Sequence, residues 1–244
     1  MLTWISKYKT MSSVFLTAQW QNLINLTYEV PVKVLEPYTP KGVEIDTALN
    51  GKAHASFVAF DFLDTKVKGI KIPFHVNFPE INLRFYVRYK GEVGVVFVRE
   101  FVPKFWIALV ANVIYNEPYK AISMQSEVKT SPENIAVKHN FGFDNQKFSV
   151  ETIAKNEPFF PEKNSVEHYF KEHTWGFGQT RAGKTLRYEV EHPIWRIYPL
   201  ESYNLNVDFG KIYGSQWSFL NETEPKYALL AEGSAIKVFG AKDL

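Results

Sequence analysis

The 244-residue sequence has no cysteine, which excludes a disulfide framework, a zinc-thiolate knot and a thiol nucleophile. Any covalent chemistry must then come from Lys, Ser, Thr, Tyr or a carboxylate. An excess of one charge is also missing: 28 Lys plus Arg against 26 Asp plus Glu leave a formal net charge of +2, without a basic run. A duplex nucleic-acid binder needs clustered phosphate-neutralising charge, so nucleic acid is not an expected partner. Long apolar runs are absent too. The longest uncharged stretch, Thr10 to Tyr28, is broken by Ser12, Ser13, Gln19, Gln21, Asn22 and Asn25 and reads as strand rather than membrane span. Met1 to Lys7 shows neither an apolar h-region behind a basic start nor a small-residue cleavage pattern. We expect a cytoplasmic protein with no membrane partner, the lack of thiols being compatible with a reducing compartment.

What the chain does have is apolar and aromatic mass: 45% hydrophobic residues and 16% aromatic, with 20 Phe, 13 Tyr and 6 Trp. That is a folding composition, long enough to bury a substantial core as a single β-rich domain. Val14, Leu16, Ala18, Trp20, Ile24, Leu26, Tyr28 and Val30 fall on even positions, which predicts one long half-buried strand. Asn50-Gly51 predicts a hairpin turn leading into a strand from Ala53 to Leu63. Ile81, Leu83, Phe85, Val87 and Tyr89 then alternate with Glu80, Asn82, Arg84, Tyr86 and Arg88, and a turn near Gly91-Glu92 returns the chain through Val95 to Val102. Pro103 suits a first helical position, and the apolar residues from Pro103 to Tyr115 predict a short helix buried in the protein's own core. Further strands are expected near 121-129, 134-143, 146-154, 174-180, 184-192 and 227-239. A capping box at Asn164-Ser165-Val166-Glu167 opens a short helix to about Lys171. The expectation is one mainly antiparallel β domain with a buried helix.

Two tempting motifs fail on context. Gly178 to Thr185 satisfies the phosphate-loop spacing letter for letter, but Leu186, Tyr188 and Val190 alternate with polar residues where a helix would have to follow. It reads as a hairpin turn. His168 and His173 are five apart, about 140° around a helix, so they cannot share a metal as an i, i+4 pair does. Neither a metal nor another cofactor is expected.

The hairpin over 79-102 is more informative. With Tyr89 paired to Gly94, Arg84 faces Arg99, and Glu80 and Asn82 lie on the same face. Like charges directly opposite one another are unfavourable unless something anionic lies between them. Turned inward, this face gives a cavity suited to a small carboxylate or other anion; turned outward, it is a solvated strand face.

Several stretches together resemble the domain-of-unknown-function-2071 family: Asn25 to Glu29, Pro37 to Asp46, Phe78 to Arg88, Ile114 to Tyr119, Glu172 to Phe177, Val190 to Trp195 and Ala231 to Ser234. The resemblance covers roughly residues 17-240, taken as one domain behind an N-terminal extension of residues 1-16. This family is similar to the acetoacetate decarboxylase superfamily, so the resemblance implies a closed antiparallel β barrel with an interior cavity. Those decarboxylases use a Schiff-base lysine in a Pro-Lys-Lys motif. The matching positions here are Pro118-Tyr119-Lys120, so Tyr119, which cannot form an imine, stands at the nucleophile's place and Lys120 at its neighbour's. The family's catalytic glutamate matches Glu80.

The expected site therefore has Glu80 and Lys120 as catalytic candidates, with Asn82, Arg84, Arg99, Asn116 and Tyr119 around the ligand. Its leading function is binding a small organic acid. The alternatives are a lyase or decarboxylase of a β-keto acid using Lys120 or Lys104, and a structural or interaction protein with a filled barrel. A homo-oligomer is kept as a candidate assembly.

Overall fold

The even-numbered alternation at the start of the chain becomes a 17-residue strand, β1 (Val14–Val30), in a computed structural model that describes residues 13–107 and 118–244. A single helical turn, α1 (Val32–Leu35), and a 3-10 turn over Glu36–Tyr38 lead to β2 (Glu44–Ile45). The hairpin strands β3 (Ala53–Val67), β4 (Phe78–Tyr89) and β5 (Glu92–Val102) come next, then β6 (Tyr119–Ala121), β7 (Met124–Thr130), β8 (Asn134–Phe143) and β9 (Gln146–Lys155). The rest is α2 (Val166–Lys171), β10 (Trp175–Gln179), β11 (Thr185–Glu191), β12 (Ile197–Tyr198), β13 (Leu200–Asn206), α3 (Phe209–Tyr213), a 3-10 segment over Ser215–Glu222, β14 (Tyr227–Phe239) and β15 (Lys242–Asp243).

The chain is mainly β, in two sheets. The larger runs β12-β14-β1-β3-β4-β5-β10-β11-β15, and β11 also pairs β14 through Val190–Val238 and Glu191–Lys237. The path thus returns to a strand it has already used. The smaller sheet, β13-β9-β8-β7, lies across one face of β3 and β4. There Phe57, Leu83 and Phe85 pack with Phe141, Phe148 and Val150 in one core, and Phe209 meets Phe57 edge-on at 5.6 Å. Burying each such phenylalanine contributes roughly 1.5–3 kcal/mol. Because this face is filled by the second sheet, the opposite face of β3 and β4 is left to line a cavity. Among the described residues, no helix is long and apolar enough to cross a membrane.

Not every pairing is antiparallel. β5 pairs in parallel with β6 and with β10, the latter through Trp175–Gly94 and Gly176–Val95. Gly94 permits this approach, since a Cβ there would lie 2.5 Å from the Trp175 carbonyl oxygen.

The β4–β5 register also differs from the one expected. The turn is a two-residue one at Lys90 and Gly91, both with positive φ (50° and 86°), so Tyr89 pairs with Glu92 and not Gly94. Such a turn matches the twist of its strands. A bulge then inserts Val98: Leu83 pairs with Arg99 but Arg84 with Phe97. Arg84 and Arg99 are therefore not cross-strand partners.

Two helix expectations need adjustment. The segment after Pro103 turns helical at residues 105–107, and residues 108–117, most of the expected helix, lie outside the described residues. Its first two side chains, Phe105 and Trp106, are exposed rather than buried. The cap of α2 is Ser165, not Asn164: the Ser165 hydroxyl accepts the His168 backbone N–H at 3.2 Å. The phosphate-loop look-alike is the β10–β11 hairpin turn, where Thr180 N–H donates to the Lys184 carbonyl at 2.7 Å.

Candidate functional site

Alternation along β3 and β4 puts Phe60, Phe62, Phe78, Glu80, Asn82 and Arg84 on the face opposite the second sheet, bordering a cavity of about 230 Å³. The apolar part of its wall includes Trp20 and Trp195, whose rings meet edge-on at 5.9 Å. The polar part is concentrated on β4, β5, β6 and the segment after α2.

Glu80 is 2% exposed and accepts two hydrogen bonds, from Asn82 Nδ2 at 3.0 Å and from the Tyr119 hydroxyl at 2.9 Å. Burial pushes its carboxyl up to about 7, against the opposing pull of those two donors and of the nearby Arg84 charge. Burial likewise drives the Tyr119 phenol well above its ordinary range, with the Glu100 and Glu80 carboxylates adding to the rise. Tyr119 therefore acts as a neutral hydroxyl here.

Arg84 is 8% exposed. Its Nη2 donates to the Phe170 carbonyl at 3.4 Å, Nε finds no partner, and no carboxylate lies within ion-pair range of it among the described residues. The same Phe170 carbonyl also accepts from Asn25 Nδ2 at 3.2 Å and from the Tyr86 hydroxyl at 3.5 Å. These donors tie down the end of α2, whose next residues, Lys171 to His173, reach the cavity wall.

Lys171 and His173 both border the cavity. The Lys171 side chain is fully shielded from solvent and its ammonium is bonded to Glu172 Oε1, which also accepts the Trp195 backbone N–H at 3.2 Å. Desolvation lowers the lysine's proton affinity, and the Glu172 hydrogen bond and charge oppose that shift. Neither ring nitrogen of His173 finds a hydrogen-bond partner among the described residues. Burial, reinforced by Arg84, holds this imidazole far below its usual range, so it is neutral.

The residues expected from sequence are thus distributed unevenly. Glu80, Asn82, Arg84 and Tyr119 come together on the cavity wall. Arg99 does not border the cavity; its Nη1 donates to the Ile212 carbonyl at 2.8 Å on the other side of β5. Lys120 is exposed with Nζ 4.1 Å from the centre of the Phe143 ring, and neither it nor Lys104 borders the cavity. Asn116 lies outside the described residues.

Glu100, Lys171, His173 and His192 also border the cavity; of these the sequence singles out only His173, and only as half of a rejected metal pair. The family-like stretches Glu172 to Phe177 and Val190 to Trp195 contain His173 and His192 and are the available signal for those two; Glu100 and Lys171 lie outside them. Among the described residues, no group of three or more His, Asp or Glu side chains is arranged to hold a metal ion.

Comparison with known proteins fits this architecture. The uncharacterized protein YqjF of Bacillus subtilis (strain 168) is 27% identical over 187 residues, which is 75% of each chain. Among solved structures, an acetoacetate decarboxylase-like enzyme from Sphingomonas wittichii RW1 superposes with a TM-score of 0.67 at 11% identity, covering 100% of this chain and 98% of that one. The enduracididine biosynthesis enzyme MppR complexed with pyruvate gives a TM-score of 0.65 at 12% identity, over 98% of this chain and 93% of that one. At such identities these two show a shared fold. The model of domain of unknown function 2071, described as an uncharacterized conserved protein, matches residues 17–235, and the chain belongs to that family.

Proposed function

We propose that the protein binds a small, partly apolar organic acid inside a closed antiparallel β barrel, with the ligand carboxylate against Arg84 and its apolar part among Trp20, Phe60 and Phe78. The return pairing of β11 onto β14 supports closure. The observation that carries the reading is the buried Arg84 guanidinium, which borders a cavity and lacks a carboxylate partner among the described residues. A buried guanidinium with no carboxylate in ion-pair contact is incompletely compensated by the more distant Glu80, and a ligand carboxylate bonded to it offsets part of its desolvation cost.

Asn82 Oδ1 and the two nitrogens of His173 are further buried polar atoms without partners in the same wall, ready for an oxo or hydroxyl group on the ligand. Size favours a compact ligand. A cavity of about 150 Å³ takes up benzene, so about 230 Å³ suits one ring or branched chain plus a carboxylate. A purely structural role with a filled interior fits this cavity poorly. That MppR, which shares the fold, is complexed with pyruvate is in keeping with a small-acid ligand.

The test is titration of 3-phenylpropionate, followed by quenching of tryptophan fluorescence. Arg84→Met is expected to weaken binding by roughly ten- to a hundredfold, the range of one charged hydrogen-bonded contact, while melting remains cooperative. Equal affinity in the two proteins would remove the anion-site reading.

A further inference from the structure

We propose that the cavity takes up its acid as an anion together with one proton, because the ligand carboxylate and Glu80 compete for the Arg84 guanidinium. The inference rests on the small-acid reading above and adds how occupancy of that site is regulated. Arg84 is the one arginine bordering the cavity among the described residues, and Glu80 and Asn82 lie on the same face of β4. Glu80 is enclosed: it is 2% exposed, and the donors bonded to its two oxygens, the Asn82 amide and the Tyr119 hydroxyl, carry no charge. The cation that favours its ionised form is Arg84. That influence acts at a distance, since residues four apart on a strand are separated by roughly 13 Å between Cα atoms. A ligand carboxylate can instead bond the guanidinium directly.

The other titratable groups around the cavity do not take the place of Arg84. Glu100, which pairs with Asn82 from β5, is a second carboxyl, and Tyr119 on β6 and Tyr188 on β11 present phenols. Beyond α2, the Lys171 ammonium is bonded to Glu172 and the His173 imidazole is neutral. His192 Nδ1 lies 2.9 Å from the Pro193 carbonyl oxygen, and in the β3–β4 loop His75 Nδ1 lies 2.8 Å from that of Pro73.

Two carboxylates sharing one guanidinium in a space withdrawn from water repel each other, and the one farther from the cation keeps a proton. Glu80 is poised for this, because burial already brings its carboxyl to about 7. A ligand carboxylate about 7 Å away, in a medium of effective dielectric constant about 20, strengthens its hold on a proton by roughly tenfold or more. Above pH 7, ionised Glu80 is the anion opposed to Arg84 before binding; after binding the ligand is, and Glu80 has taken one proton from solution. The charge enclosed by wall and ligand is unchanged by that exchange. Binding therefore favours the protonated carboxyl: affinity is highest below pH 7, where Glu80 already holds its proton, and declines as pH rises through 7.

The experiment titrates the full chain calorimetrically with 3-phenylpropionate in Tris and in triethanolamine at about pH 8. Both buffers are cationic and do not compete for an anion site, and their different ionisation heats count the protons exchanged. Uptake of roughly half a proton or more per ligand is expected, with affinity falling roughly tenfold from about pH 6 to about pH 8.5. Glu80→Gln should bind without proton uptake and with an affinity that no longer falls over that range. Uptake that persists in Glu80→Gln overturns the assignment. Should that variant fail to fold, infrared difference spectra of the wild type with isotopically labelled ligand, whose own bands are shifted, must show a protonated-carboxyl stretch gained on binding; its absence overturns the assignment as well. Wild-type protein that binds the acid with no proton uptake overturns the coupling and leaves the binding reading standing. No binding at any pH overturns both.

Discussion

Tyr119 donates its hydroxyl to Glu80 Oε2 at 2.9 Å, so a phenol that burial keeps neutral steadies a carboxyl that burial has pushed up to about 7. Removing the hydroxyl should therefore act on Glu80 first. Tyr119→Phe is expected to raise the Glu80 pKa further, because the lost bond favoured the charged form. It should cost about 2 kcal/mol of stability at a pH where the carboxylate is ionised, the usual worth of a hydrogen bond to a charged group. Carbonyl-stretch infrared titration of the wild type and variant checks this, and an unmoved titration would show that the bond does not control the carboxyl.

Glu80 also sets a pH dependence of defined sign. Its folded-state value of about 7 lies above the 4.5 of the unconstrained side chain, so between these values the native state holds a proton that the unfolded chain has released. The stability contribution is complete below pH 4.5 and is lost as pH rises through 7. Glu80→Gln lacks that loss. The stability of the variant relative to wild type should increase by about 3 kcal/mol across this window, measured by urea denaturation at several pH values; histidine titrations common to both proteins cancel in the difference. A pH-independent difference would contradict the assignment.

Gly233 tests how tightly the cavity wall is set. Its φ is +86°, and a Cβ there would lie 2.1 Å from the backbone oxygen of Trp20, itself a cavity residue. Neither the strain nor the clash can be relieved by a side-chain rotation. Gly233→Ala should cost about 3 kcal/mol or more, seen as a lower urea midpoint, and it should weaken 3-phenylpropionate binding by displacing Trp20. An unchanged midpoint would mean that β1 and β14 can separate there at little cost.

Strands whose one face is apolar were legible in the sequence. The even-numbered run gave β1 at Val14–Val30, and β8 and β14 fall at Asn134–Phe143 and Tyr227–Phe239, as alternation placed them. The short helix α3 at Phe209–Tyr213 and the following 3-10 segment escaped notice, because five- and eight-residue elements carry too few turns for a helical period to register. Much of the β4 side of the site was readable, since Glu80, Asn82 and Arg84 share one strand parity. Lys171 was not. Its place beside the cavity goes with the Phe170 carbonyl being held by residues 145, 86 and 84 positions away, and no local pattern records such a long-range contact.

The single inserted residue at Val98 decides which sign of charge β5 offers its interior. In an unbroken strand, Val95 and Phe97 would be followed on the cavity side by Arg99; with the bulge the position passes to Glu100, and Arg99 turns to the Ile212 carbonyl. One extra residue therefore replaces a cation with an anion and leaves Arg84 as the cavity's guanidinium. Removing that one residue would bring Arg99 to the cavity side in place of Glu100, so the length of a strand, and not only the identity of its side chains, sets the charge that this wall offers.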